Sequence, residues 1–488
     1  MFKWFANGAD RTGKSWVRPF VTCALLMLAI VIGDCRTASA LPTGKVMAIP
    51  AFARKYGLPC SACHTAWPEL NNFGKVFQDN GYQLMNDRDS LIWQNPSYFP
   101  ISFRITPNWH RESTSDQPVD SIPGGGTGST LVSHNVTQAG FDLSGMDLWS
   151  AGTIYKNISF ILLPSSDPTA FWHFESAWLR FDNLWGNSWL NLKFGRFELD
   201  NLISEKRFLF LSGNGGIYQV YHFNVPGSSN NFGLGDNQIG VELAGHDSNS
   251  YTRYSVALLS SNEGGVNLTN SVSPIPPGNP ASRSFDGYMA FTKAFNTGSW
   301  GYQEIQAYAY VGQRPTYYQT SQGVQLVGLG NEPFYRIGFA GQLHFKNLEL
   351  LPFFMHGHDS AYLATGLPDY QGIPTGNHAP SFNGGFLEGQ YFVNPQLVFF
   401  GRYEKVDVGQ QAVSGTPGDF GNVTAYSVGY RWYPIMFSRG GVAWHNEYSI
   451  SKSIGIVPES GDGTGLPPML PTNGVWSSSV FIGFDFDF

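Results

Sequence analysis

Two cysteines and a histidine carry the most specific chemistry in this chain. They fall in Gly57-Leu58-Pro59-Cys60-Ser61-Ala62-Cys63-His64-Thr65, a C-x-x-C-H run. That spacing is the attachment signature of a c-type haem. The thiols of Cys60 and Cys63 add across the two vinyl groups of the porphyrin and fix the ring. His64 then lies under the iron and supplies the proximal axial imidazole. The competing readings are a disulfide or half a zinc site. A closed zinc site needs about four ligands, and the chain has no second cysteine pair. A Cys60–Cys63 disulfide would leave His64 without a role.

The sixth position of the iron has several candidates. Met85 lies beyond the next predicted helix, and a thioether there would raise the iron's potential. A packing role for Met85 competes with this reading. Met47 and His110 are the other nearby donors, and an open position is the remaining alternative. Elsewhere, His356-Gly357-His358-Asp359 sets two imidazoles on one strand face near a loop, a possible transient site for ferrous iron. Solvated rim residues are the ordinary reading of such a group. The loop acids Glu263, Glu332, Asp369 and Glu459 are read the same way, as scattered surface charge. No phosphate loop, catalytic triad or second haem motif is present, so no catalytic residues are assigned.

Haem of this type is attached outside the cytoplasm, and the N-terminus carries an export pattern. Lys3, Arg11, Lys14 and Arg18 precede an apolar core from Val21 to Ile32, and Ala38-Ser39-Ala40 is an A-x-A cleavage site. Residues 1–40 are therefore expected to be a signal peptide. Cys23 and Cys35 leave with it, so both remaining cysteines belong to the motif. Residues 41–100 are expected to form a small α-helical monohaem cytochrome c segment, near the lower size limit for an independent core. A short helix is predicted at 51–56 and a second from Pro68 to Asn80, with Gly81 as its C-terminal cap. Leu70, Phe73 and Phe77 recur at helical spacing and are expected to face the haem.

Residues 101–488 read differently. Only 13% of the 488 residues are charged, 15% are aromatic and 57 are glycine, against about 25% charged in an ordinary soluble domain. The formal net charge of −7 gives no sign of nucleic-acid binding. No later stretch reaches the roughly 18 apolar residues of a membrane helix, and the pattern has period two. In Phe334–Lys346, Tyr335, Ile337, Phe339, Leu343 and Phe345 oppose Arg336, Gln342, His344 and Lys346. Similar alternation occurs in Ser188–Glu198 and Asn422–Trp432. At the C-terminus, Val480, Ile482, Phe484, Phe486 and Phe488 alternate with Phe481, Gly483, Asp485 and Asp487. Apolar-out, polar-in alternation predicts a transmembrane β-barrel of the outer membrane with about sixteen strands. Tight turns such as Gly186-Asn187, Thr297-Gly298, Lys346-Asn347 and Asn394-Pro395 are expected in the periplasm. Long loops, including Asp200–Asp236, are expected outside. Pro352 falls inside a predicted strand, which calls for an explanation.

The run from Ala48-Ile49-Pro50-Ala51-Phe52-Ala53-Arg54 through the C-x-x-C-H motif to Pro68-Glu69-Leu70-Asn71-Asn72-Phe73-Gly74 resembles the fused monohaem cytochrome c–porin family. That family includes the outer-membrane iron oxidases of iron-oxidising bacteria. The resemblance covers about Ala48 to Tyr82 and is architectural beyond. It implies one covalent haem c on Cys60, Cys63 and His64 and a barrel of about sixteen strands. It also implies electron transfer across the outer membrane, from an extracellular donor such as Fe(II) to a periplasmic cytochrome or other carrier. Because ferric iron is nearly insoluble at neutral pH, oxidising ferrous iron outside the cell is an advantage. The apolar band of such a barrel is about 25 Å tall, and tunnelling decays steeply with distance. The small haem segment is therefore expected to plug the lumen rather than hang below it. The rival functions are a transport porin whose haem segment plugs or regulates it, an exporter of electrons, and a haem enzyme with an open iron position.

Overall fold

A computed structural model describes residue 52, residues 55–84 except 67–68, and residues 101–487 except 121–130, 167–171, 208, 213–217, 231, 261–284, 321–322, 365–372, 374–375, 438–439 and 455–473. The expected signal peptide, Met47, Met85, Glu263, Asp369, Glu459 and Phe488 lie outside the described residues, as does the side chain of Cys60. The described residues all belong to one compact unit, 47–488.

Sixteen antiparallel strands form a closed barrel. The first eight are β1 (Ile101–Asp120), β2 (Leu131–Tyr155), β3 (Ile158–Ser166), β4 (Trp172–Phe181), β5 (Asn191–Phe197), β6 (Gln238–His246), β7 (Thr252–Ser260) and β8 (Phe285–Asn296). The second eight are β9 (Tyr302–Thr320), β10 (Gly323–Phe345), β11 (Leu348–Asp359), β12 (Ser381–Asn394), β13 (Leu397–Gln410), β14 (Val423–Phe437), β15 (Gly440–Ser453) and β16 (Val475–Asp487). Each strand pairs with its sequence neighbour, and the seam is closed by β16 against β1, from Ser477↔Thr114 to Asp487↔Arg104. Closure leaves no unpaired edge, which a lipid-facing sheet requires.

The alternation read from the sequence is the alternation of the wall. On β10, Ile337 and Phe339 are 43% and 57% exposed while Arg336 is 1% exposed. Tyr426, Val428 and Trp432 face outward and Ser427 and Arg431 inward on β14. On β16, Ile482 and Phe484 face outward and Phe481 and Asp485 inward. Exposed Leu, Val, Ile and Phe side chains thus coat the outside, the surface a bilayer would cover. Pro352 keeps its partner Leu387 on β12. Towards β10 the ladder is interrupted between Ala340↔Phe353 and Leu343↔Leu350, and the proline ring lies beside Gly341. The missing N–H therefore falls where no ladder bond is made.

One connection departs from expectation. Residues 198–237 connect β5 and β6; the stretch Asp200–Asp236 within them is expected as an external loop, but the connection folds into the barrel. Leu199, Ile203, Leu209, Phe210, Tyr218 and Val220 are all buried. Inward carboxylates hold the insert's backbone: Leu211 N–H donates to Glu447 at 2.8 Å and Val220 N–H to Glu404 at 2.7 Å. Asp359 accepts from Ser228 Oγ at 2.9 Å and Asn230 Nδ2 at 3.1 Å. The Tyr218 ring stacks on Phe386 at 4.4 Å, with the Arg402 guanidinium 4.3 Å from its centroid. The physical reason is apolar content. A segment this rich in aromatic and aliphatic side chains gains more by burial than by exposure, and polar inward positions satisfy its backbone.

Candidate functional site

The motif begins as one helical turn, α1 (Cys60–Cys63). His64–Ala66 then pairs antiparallel with Glu69–Leu70, which turns the chain back into α2 (Asn72–Asp79). α2 starts later than expected because of this small ribbon. Asn71 ties the pieces together. Its N–H donates to the Cys63 carbonyl at 2.9 Å, its Nδ2 to the Ala62 carbonyl at 3.1 Å, and its Oδ1 caps the helix by accepting from Gly74 N–H at 3.0 Å. Gly74 is needed for close approach, since a Cβ there would lie 2.2 Å from the Cys63 carbonyl oxygen.

His64 is 6% exposed. Its Nδ1 lies 3.2 Å from the Glu69 carbonyl oxygen, an acceptor, so Nδ1 carries the proton. This is how metal-ligating imidazoles are held, and it makes Nε2 the nitrogen that would meet an iron. Cys63 is in no disulfide, and burial pushes its thiol up to about 11. An imidazole whose Nδ1 is already engaged is arranged as a proximal haem ligand would be, with Cys60 and Cys63 as the residues that would tether the ring.

α2 ends in a Schellman arrangement. Gly81, at φ +78°, donates to the Gln78 carbonyl at 3.1 Å, and Tyr82 donates to that of Phe77 at 2.9 Å. Phe77 and Tyr82 pack with Phe52, and Tyr82 stacks on Trp178 of β4 at 6.3 Å. Phe73, one turn earlier, is 41% exposed. The expected haem-facing set thus divides, with Phe77 in this aromatic cluster while Leu70 and Phe73 line a cavity at the short-turn end. That cavity, ≈ 480 Å³, is also lined by Thr65, Trp300, Tyr302, His344 and Lys346.

Five strands hold the segment by inward side chains. Thr153 of β2 donates to the Gly81 carbonyl at 3.2 Å, and Arg180 of β4 to the Gln78 carbonyl at 2.7 Å, at the negative end of the helix. Lys75 pairs with Glu304 of β9 and Gln342 of β10, and Gln342 donates to Glu69 at 2.8 Å. Arg253 of β7 joins three bodies: Asp79 of α2 at 3.9 Å, Asp200 of the insert at 2.9 Å, and Glu304 of the wall at 3.7 Å. Burial opposes ionisation of Asp79, but the charges of Arg253 and His246 and a bond from Ser250 carry its carboxyl below the usual value. Three other inward cations pair within the wall: Arg104 with Asp485, Lys193 with Glu242, and Arg336 with Asp359.

Other sequence candidates separate. His110 lies on β1 with its Nδ1 3.3 Å from Asn108 Oδ1. His356 and His358 pack against the outward Tyr335, whereas Asp359 faces inward and is bonded to Arg336 at 2.7 Å. A strand's period of two puts the imidazoles and the carboxylate on opposite faces, so they form no common site. Glu332 is buried and accepts from Ser360 at 2.8 Å. Among the described residues, no group of three or more His, Cys, Asp or Glu side chains is arranged to hold a metal ion. Arg180, Arg253, Glu304 and Gln342 were not foreseen. Their only sequence signal is a polar side chain at an inward position within a few residues of a tight turn.

Neither a protein-family model nor a curated protein matches the chain. Among solved structures it is similar to an anion-selective porin from Comamonas acidovorans, at 10% identity and TM-score 0.45, covering 79% of this chain and 99% of that one. The outer-membrane channel DcaP of Acinetobacter baumannii aligns at 11% identity and TM-score 0.43, over 78% and 96% of the two chains. OprB of Pseudomonas putida aligns at 10% identity and TM-score 0.43, over 87% and 99%.

Proposed function

We propose that this chain is an outer-membrane barrel of porin architecture, closed by its own segments, that carries one haem c and passes single electrons between an extracellular donor and a periplasmic acceptor. The barrel taken alone supports a transport channel more than an electron carrier, because sixteen strands enclose enough room for an aqueous passage. The observation that favours electron transfer is the C-x-x-C-H segment, whose His64 Nδ1 is engaged by the Glu69 carbonyl and whose helix is bonded to five strands. When bound, the haem would supply a one-electron couple. Cys60 and Cys63 would tether it, His64 would ligate its iron, and the packed lumen would limit access of water. Fe(II) is the donor suggested by the resemblance, and Met85 remains the proposed distal ligand. The second reading is a channel whose haem segment is a plug or regulator.

Two measurements on one preparation separate these readings. Electron transfer requires that ferrous iron added to intact cells reduces the haem, seen at its absorption bands, and that Cys60→Ala with Cys63→Ala abolishes both the bands and haem staining after denaturing electrophoresis. Solute flux through liposomes without reduction of the haem by any external donor would establish the channel reading instead.

A further inference from the structure

The outer surface of the wall carries a row of polar side chains at its long-loop end, and strand register builds it. Lys405 of β13 pairs with Thr424 of β14, Thr424 with Lys452 of β15, and Lys452 with Trp476 of β16. Alternation turns all four outward, since their neighbours Glu404, Val406, Val423, Ala425, Ser451 and Val475 are buried. Thr424, Lys452 and Trp476 each lie one residue from the long-loop end of their strand. One pleat towards the short turns, Tyr403 and Tyr426 stand exposed on the outside with their rings 5.2 Å apart. Outward tyrosines of this kind mark the level where hydrocarbon gives way to headgroups. A lipid-facing cation is costly in the hydrocarbon and tolerated at the interface, so the two lysines belong at headgroup depth.

Neighbouring strands lie about 4.8 Å apart, so the stems of Lys405 and Lys452 rise about 10 Å from each other. Lys452 Nζ lies 5.5 Å from the centre of the Trp476 ring. Lys405 Nζ bonds to Asp407 at 2.8 Å, and both of those side chains are half exposed. An ion pair so exposed contributes about 1 kcal/mol at most, and a phosphate can take the place of the carboxylate. Thr424 sets a hydroxyl between the two cations. We propose that this row binds the headgroup of a phosphorylated glycolipid in the outer leaflet, with Lys405 and Lys452 on two phosphates and Trp476 against its sugar core. A simple phospholipid offers one phosphate and no sugar, and leaves half of the row unmatched. The inference rests on the barrel standing in an outer membrane and is independent of the haem reading.

The test uses the full-length protein in detergent with EDTA, and fluorescent bisphosphorylated lipopolysaccharide as the probe. Binding should be about tenfold tighter than to the same lipid stripped of phosphate or to phosphatidylglycerol. Lys405→Gln with Lys452→Gln should weaken it by about tenfold. Asp407→Asn, which releases Lys405, should strengthen it by roughly threefold. These side chains point away from the wall, so heat-modifiable migration should be unchanged in every variant. Undiminished binding by the double variant overturns the proposal, as does equal binding of phosphatidylglycerol by the unaltered protein. If the double variant does not fold, Asp407→Asn decides: binding no tighter than that of the unaltered protein removes Lys405 from the site.

Discussion

At the scale of residues, Gly74 is the most exacting position in the segment. Alanine there would set a methyl against the Cys63 carbonyl, a backbone atom that yields only if α2 moves off the motif. Overpacking of this kind costs about 1–3 kcal/mol. Gly74→Ala should leave the barrel folded, as judged by heat-modifiable migration, and lower the yield of covalent haem. An unchanged yield would show that α2 does not position the cysteines. The C-x-x-C-H run is readable from the sequence because it is defined by spacing along the chain. The partners of α2 are not, because Arg253 and Glu304 are distant in sequence and look like any other inward polar residue. The His356–His358–Asp359 group shows the converse, since neighbours in sequence are divided by the wall.

At the scale of elements, the barrel was legible and the insert was not. The alternating stretches Ser188–Glu198 and Asn422–Trp432 fall on β5 and β14, because lipid on one side and polar contacts on the other impose a period of two. The stretch from Phe334 begins late, since β10 starts at Gly323. Residues 198–237 carry Gly and Pro as an external loop does, and tertiary burial overrides that. The available signal was their run of Leu, Phe, Tyr and Val side chains.

The junction at Arg253 gives an element-scale prediction. Asp79 has a lowered folded value, so its contribution to docking is complete above its usual value of 3.8 and is lost as pH falls through the lower one. Hydrogen exchange of the α2 amides, corrected for intrinsic rate, should therefore rise on acidification below 3.8. Arg253→Ala should produce the same loss of protection at neutral pH, since removing the cation from a buried cluster costs roughly 3–5 kcal/mol. Equal protection in Arg253→Ala would mean that the segment is held elsewhere.

At the scale of the whole molecule, two fillings share one lumen. The segment occupies the short-turn end, and the insert packs on inward residues of β8 to β13 and of β15. Removing residues 41–97 alone should therefore raise conductance in planar bilayers only partly. Removing the segment and also replacing 198–237 by a short linker should give the conductance of an open sixteen-strand pore. Full conductance after the first deletion alone would show that the insert leaves the passage clear.

The closed seam also sets a sequence of manufacture. α2 is gripped from five strands, and the strand that follows the segment, β1, is the one that seals against β16. An attachment enzyme needs room around the motif, which a segment docked on five strands restricts. On the proposed reading, the porphyrin is joined to Cys60 and Cys63 before the chain closes, and the loaded segment is enclosed as the seam zips. On the same reading, refitting a lost porphyrin would require the segment to come off all five strands.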